Sequence, residues 1–301
     1  MDDVCSVFYH LYTFSLFLYI FTDILLSFNL QDEKLNTMDK LKIGVVPYMN
    51  AKPFIYGFEK RADEIDIVYG VPSVLPEMLD NDNLDLVVMP SAGYFRSTGY
   101  EIIPGSAIAS NGLVESVKLF IKAPSIEKIR TVALDKDSLT SCVLTKIILW
   151  KKYSLEPEYI VLDDKRKIYN EYADAFLIIG DDAMNVREEG FTVLDLGQEW
   201  NALTGLPFVY AVWVTKSGSK VHGLSKLLID ARECGLECID EIADAEAGRL
   251  GMEKERCLWY LKESIKYNLG EQEILGLKSF YDYAVEMGEV EEGVKLEFYY
   301  G

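Results

Sequence analysis

Lys42-Ile-Gly-Val-Val-Pro-Tyr-Met-Asn-Ala-Lys-Pro53 reads as a buried strand that stops at a proline and hands a polar turn to a helix. Ile43, Val45 and Val46 form a short β-branched run, the composition of a strand covered on both faces. Pro47 has no backbone donor to give a central strand, so the strand ends there. Pro53 steers Lys52 away from helical backbone and suits a first helical turn, which places a helix over Phe54–Arg61. Tyr48, Asn50 and Lys52 then lie in a turn at the carboxyl end of a parallel strand, where open α/β sheets bind ligands.

The same kind of joint recurs downstream. Leu84–Met89 reads as a strand ending in Pro90-Ser91-Ala92-Gly93, and Ala173–Ile179 runs straight into Gly180-Asp181-Asp182. Thr131–Leu134 reads as a strand followed by Asp135-Lys-Asp-Ser-Leu-Thr-Ser141 and a helix over Val143–Lys152. Further strands are expected at Ile65–Tyr69, Tyr100–Ile103, Val114–Ile121, Tyr159–Leu162, Val193–Leu196 and Leu206–Val214. Pro104-Gly105 and Ser110-Asn111-Gly112 read as turns, and Pro72–Asn81 as a helix with Ser73 as its cap or first-turn residue. From Val221 onward the spacing is helical, over Leu224–Ile242, Glu253–Tyr267 and Glu271–Met287. Strands alternating with helices, then helices alone, define an α/β protein.

The chain has 301 residues, half of them hydrophobic, enough for about two lobes. Its formal charge is −19, which excludes a general nucleic-acid partner because phosphate binding needs a basic face. A small anion is still compatible, since a few local dipoles hold one against an unfavourable net field. The five cysteines are odd in number and widely spaced, unlike a disulfide framework, and a reducing cytoplasm fits best. Cys234 and Cys238 stand one helical turn apart, but no histidine or second cysteine pair completes a metal site, so they read as ordinary thiols. The chain contains no Gly-x-Gly-x-x-Gly, Walker loop, His-Glu-x-x-His or nucleophile elbow, so neither metal nor cofactor is expected.

Asp137, Ser138, Thr140 and Ser141 gather at a helix start. One hydroxyl suffices for a cap, and three exceed that need. Such a terminus offers unclaimed N–H groups and the positive end of the helix dipole, a setting for a carboxylate. The residues alone therefore reach an α/β protein that holds a small polar ligand in a cleft.

Residues 1–37 differ from the rest. Val7–Phe28 is apolar and long enough to span a bilayer, yet the segment carries Asp2 and Asp3 and no Lys or Arg before it. A membrane anchor, an unusual signal and translated sequence ahead of the true start all remain readings of this stretch. A start at Met38 is favoured, with residues 1–37 outside the fold, and membrane association is expected only if they belong to the working protein.

Several joints together resemble one family. They are Val46-Pro-Tyr-Met-Asn-Ala-Lys-Pro53, Gly112-Leu-Val-Glu-Ser-Val117, Asp137-Ser-Leu-Thr-Ser141, Ile178-Ile-Gly-Asp-Asp-Ala183 and Trp200-Asn-Ala-Leu-Thr-Gly-Leu-Pro-Phe-Val-Tyr-Ala-Val-Trp213. Their order and spacing resemble chorismate dehydratase of the futalosine route to menaquinone, from Lys42 to about Gly288. Pro47 and Met49, flanking Tyr48, depart slightly from the family pattern, while Asn50 is kept.

The resemblance implies a type II periplasmic-binding-protein-like fold. Its first lobe would comprise residues 38–120 plus 211–301 and its second 121–210, with crossovers near Ile121 and Tyr210. It implies dehydration of chorismate to 3-[(1-carboxyvinyl)oxy]benzoate, without metal or cofactor. It further implies Asn50 and Ser116 as the catalytic pair. Ser138, Thr140 and Ser141 would take a carboxylate, and Tyr48, Ser91, Asp181 and Thr204 would be further substrate-binding residues. Asp181 alternatively fixes the Gly180 turn, and Lys52 and Trp200 read as lining or packing residues, packing being favoured for Trp200. The base is left open, a carboxylate of the substrate being one choice. Two rivals share the fold. One is the sister enzyme that forms dihydroxynaphthoate, whose opening motif, closer to Ser-Pro-Cys-Pro-Asn-Asp, is missing here. The other is a solute-binding protein, against which stand the missing basic leader and the lack of a lipid-attachment cysteine after the apolar run.

Overall fold

Strand β1 (Leu41–Val45) has its last three residues fully covered, as its β-branched composition requires. The computed structural model describes residues 40–72, 74–136, 138–162 and 173–301, so the N-terminal apolar segment, Ser73 and Asp137 lie outside the described residues. After β1 a 3-10 turn, Met49–Ala51, leads into α1 (Lys52–Glu59), with Pro53 in its first turn. The chain continues through β2 (Ile65–Tyr69), α2 (Leu75–Asp80), β3 (Leu86–Pro90), α3 (Ser91–Phe95), β4 (Tyr100–Ser110) and β5 (Val117–Ile121). Next come β6 (Thr131–Asp135), α4 (Leu139–Tyr153), β7 (Glu158–Leu162), β8 (Ala175–Ile179), α5 (Gly180–Asn185), β9 (Thr192–Asp195) and α6 (Leu196–Thr204). β10 (Phe208–Lys216), α7 (Leu224–Glu237), α8 (Ile239–Leu250), α9 (Lys254–Trp259), a π-helical turn (Tyr260–Ser264), β11 (Ile265–Lys266) and α10 (Glu271–Glu286) complete it.

Among the described residues the strands form two mixed sheets, in the orders β11-β4-β10-β3-β1-β2 and β7-β6-β8-β5-β9. β1 pairs in parallel with β2 and β3, whereas β10 lies antiparallel between β3 and β4. In the second sheet β6 is parallel to β7 and β8, and β5 is antiparallel to β8 and β9. Each sheet with its helices makes one lobe, giving the two-lobe α/β architecture that the resemblance implies.

The lobe boundaries need correction. All of Val117–Ile121 pairs with β8 and β9, so the change of sheet falls between Ser110 and Val117 rather than at residue 120. All of Phe208–Lys216 pairs in the first sheet, so the return falls between Asp195 and Phe208 rather than at Tyr210. Register places each strand by its hydrogen-bond partner, which a one-dimensional apolar run does not reveal.

Other elements also differ from expectation. β4 runs on through Pro104-Gly105 because the β4–β10 register shifts there, and Gly105 supplies a φ of +87°. The polar and aromatic stretch Gly197–Gly205 is mostly helix α6, started by Asp195, whose side chain accepts the Gln198 N–H, and ended by left-handed Gly205. The single helix expected over Leu224–Ile242 is two, parted at Cys238. The helix expected over Glu253–Tyr267 breaks into α9, the π turn and β11. Helix α1 crosses α7 at very close range. A Cβ on Gly57 would strike the Ala231 backbone, and one on Gly235 the Pro53 backbone, so two glycines set the seat of the helix that follows Asn50.

Candidate active site

A cleft of about 90 Å³ lies between the two lobes. Most of its polar groups come from four joints: Tyr48 and Asn50 after β1, Ser116 before β5, Ser138, Thr140 and Ser141 at the start of α4, and Gly180 after β8. Val46, Val88, Ile108, Leu139, Ile179 and Ile265 are among its apolar walls. All the joints deliver residues to one place because strand ends of both sheets face the same gap.

Asn50 sits in the 3-10 turn, and its Oδ1 is buried with no hydrogen-bond partner. An orphaned buried acceptor is costly, and a ligand donor would satisfy it. Ser116 is 2% exposed. Its Oγ accepts the Tyr260 hydroxyl at 2.9 Å, and its carbonyl accepts the Gly180 N–H at 2.7 Å, tying two joints of the cleft together.

The segment that carries Ser116 is held from several sides. The buried Asp195 carboxylate accepts the N–H groups of Val114 and Glu115, the latter at 2.6 Å. Burial raises the Asp195 pKa, and the N–H donors from Gln198, Val114 and Glu115 with the Lys118 charge pull it back. Glu115 takes a φ of +59°, a left-handed conformation unusual for a residue with a side chain, and Arg256 grips its carboxylate through Nε and Nη2. Ser264 Oγ donates to the carbonyls of Leu113 and Val114.

Across the cleft, Ser138 occupies the N-cap position of α4 without a capping bond from its side chain. Ser138 Oγ instead turns toward Asp135 at 3.4 Å, and Thr140 Oγ1 accepts the Ala92 N–H at 3.1 Å, which leaves the Thr140 proton for another acceptor. The helix start keeps its positive end toward the cleft. Tyr48 packs against Gly180, where a Cβ would come within 3.3 Å of the ring and φ is +66°, so glycine serves there for both reasons.

Three of the expected substrate-binding residues are placed elsewhere. Ser91 is fully buried and donates to the Val209 carbonyl at 2.7 Å, stitching α3 to β10 behind the cleft. Thr204 donates to the Trp200 carbonyl and accepts the Leu206 N–H, closing the end of α6. Asp181 accepts the Met49 N–H on Oδ1 at 3.0 Å and Arg249 Nη2 on Oδ2 at 2.7 Å. None of the three lines the cleft. Lys52 pairs with the buried Glu246 at 3.0 Å, and Trp200 is a core residue donating to the Pro207 carbonyl.

Sequence reasoning missed Tyr210, Tyr260 and Asp195. Tyr210 lines the cleft with its hydroxyl 3.0 Å from Ser110 Oγ, and burial holds its phenol well above the usual tyrosine value. Tyr260 lies inside a stretch whose spacing reads as continuous helix, so no local pattern signalled it, whereas the Asp195-Leu-Gly-Gln start of α6 pointed to Asp195. Among the described residues no group of three or more His, Cys, Asp or Glu is arranged to hold a metal. No helix among them is long and apolar enough to cross a membrane.

Two mixed sheets with a polar-lined cleft between them define a small-molecule-binding α/β protein of the periplasmic-binding-protein-like fold. The structure superimposes on protein AF1704 of Archaeoglobus fulgidus with a TM-score of 0.68 at 19% identity, covering 83% of this chain and 98% of that one. It matches the periplasmic aliphatic sulphonate binding protein SsuA of Escherichia coli with a TM-score of 0.61 at 15% identity, covering 86% and 96%. At these identities the likeness is one of fold. The chain belongs to the menaquinone biosynthesis family, whose model matches residues 41–286. It is also 30% identical over 257 residues to the chorismate dehydratase of Thermus thermophilus, covering 79% of this chain and 93% of that protein.

Proposed function

We infer that this protein is a lyase that removes water from chorismate to give 3-[(1-carboxyvinyl)oxy]benzoate in menaquinone biosynthesis. Beside family membership, the supporting observation is the buried, unpartnered Oδ1 of Asn50 in a cleft whose far wall is a helix start rich in hydroxyls. Chorismate brings two carboxylates and a ring hydroxyl, which match donors on both walls and an acceptor between them.

The α4 start, through Ser138, Thr140, Ser141 and the helix dipole, takes one carboxylate. Ser116 donates to the other, and Asn50 Oδ1 accepts the ring hydroxyl and orients it for departure. Tyr48 completes the ring's surroundings. The proton that leaves is vinylogous to the ring carboxylate, so charge spreads onto that carboxylate, where fixed donors stabilise it. Among the described residues the lining holds no His, Asp, Glu or Lys, and its tyrosines are poor bases, so a carboxylate of the substrate takes the proton and returns it to the departing oxygen. The C–H and C–O bonds break, a ring double bond forms, and aromaticity drives the step.

The lobes, residues 41–110 with 208–301 and residues 117–195, close about the two connections between them and exclude water. Free Cys142, Cys234, Cys238 and Cys257 support a cytoplasmic setting. The test is to mix the full chain with chorismate, without cofactors, and follow it by mass spectrometry. Loss of one water is expected. Chorismate that binds intact would make this a binding protein, and chorismate neither bound nor altered would overturn the reading.

A further inference from the structure

Tyr260 opens the π-helical turn between α9 and β11, a rare geometry that tends to accompany functional positions. Its side chain is 1% exposed, and its hydroxyl donates to Ser116 Oγ at 2.9 Å. Burial pushes the phenol above the usual tyrosine range, against a weaker pull from its hydrogen bond to Ser116, so it keeps its proton at neutral pH.

The hydrogen-bond inventory of these groups allows one polarity. A serine hydroxyl has one proton and two lone pairs, and Tyr260 occupies a lone pair of Ser116. The Ser116 proton is then left for an acceptor in the cleft that the residue lines. Asn50, which lines the same cleft, has its Oδ1 buried and unpartnered.

We propose that Tyr260 is a positioning residue that sets the polarity of Ser116 by donating to its Oγ, so that Ser116 presents a donor to the ligand beside the acceptor that Asn50 offers. The site thereby selects a molecule with an anionic oxygen at Ser116 and a hydroxyl at Asn50. A ligand with these groups exchanged sets an anionic oxygen against the Asn50 Oδ1, an acceptor facing an acceptor. The inference rests on the reading of Asn50 and Ser116 as facing chorismate.

The test is a double-mutant cycle on the full chain, with Tyr260→Phe, Ser116→Ala and both together, assayed on chorismate and checked for native circular dichroism. Tyr260→Phe keeps the ring and deletes one oxygen, so packing is preserved. Its kcat/KM is expected to fall roughly tenfold in the wild-type background, the scale of one hydrogen bond to a charged-site donor, and under about threefold where Ser116 is already alanine. Equal losses in both backgrounds, or no loss at all, would overturn the proposal while leaving the dehydratase reading intact. A wild type that leaves chorismate unchanged would overturn both.

Discussion

The backbone N–H of Met49 donates to Asp181 Oδ1 at 3.0 Å, a bond between residues 132 apart in the chain and on opposite lobes of the cleft. The other Asp181 oxygen meets Arg249, which also binds Glu246, and Glu246 in turn pairs with Lys52 at the start of α1. The turn that carries Asn50 is thus held at its first residue by the far lobe and, two residues beyond Asn50, by α8. Asp181→Ala is expected to cut kcat by about 10- to 100-fold, because small misplacements of an orienting group are costly. Asp181→Asn keeps an acceptor for Met49 and is expected to lose less than about fivefold, since the Arg249 pair is half-exposed. Steady-state kinetics of the two variants side by side check this, and equal losses would show that the ion pair, not the Met49 bond, is what matters.

Asn50→Ala should separate activity from stability. Removing a buried acceptor without a partner costs the fold little, so the thermal midpoint should stay within the equivalent of about 1 kcal/mol of wild type. Turnover of chorismate should fall at least about 100-fold. A stable variant with near-normal turnover would remove Asn50 from the mechanism.

Asp195→Ala should damage both. It strips the acceptor from Val114, Glu115 and Gln198 and the cap from α6, costing roughly 3 kcal/mol in urea unfolding. It also frees the strained Glu115 segment that positions Ser116, so activity should drop in the fraction that remains folded.

Gly235→Ala tests the seat of α1. The new methyl would drive into the Pro53 backbone, and overpacking of this kind costs about 1–3 kcal/mol. Alanine at exposed Gly248, where no atom lies near the added carbon, is the matched control and should leave the unfolding midpoint unchanged or raised.

Cys142, near the start of α4, should resist alkylation. Burial, reinforced by Asp135, pushes its thiol up to about 12. The thiolate is the reactive form, and a raised pKa shrinks it at any pH below that value, leaving less than about one molecule in a thousand reactive at pH 8.5. Mass-spectrometric mapping after iodoacetamide treatment of the native protein should find this residue unmodified and label it fully after unfolding.

What the sequence determined is local. A β-branched run stopped by Pro47, a proline three residues after Asn50 and hydroxyls at the start of α4 were enough to read strand, turn and helix start, because each depends on neighbours within one turn of backbone. The family motifs around Asn50, Ser116 and Ser138–Ser141 carried the rest of the reading, and these residues do meet in one cleft. Tertiary structure alone decided which polar residues face it. Ser91, Asp181 and Thr204 sit at the same kind of polar joint as Ser116, yet their hydrogen bonds go to Val209, Met49 with Arg249, and Trp200 with Leu206. Tyr260 reached the site the same way, by a bond to a residue 144 positions distant. A hydroxyl or carboxylate has the same composition whether it binds ligand or backbone. Its partner is fixed by packing between lobes, and no local pattern of residues encodes that choice.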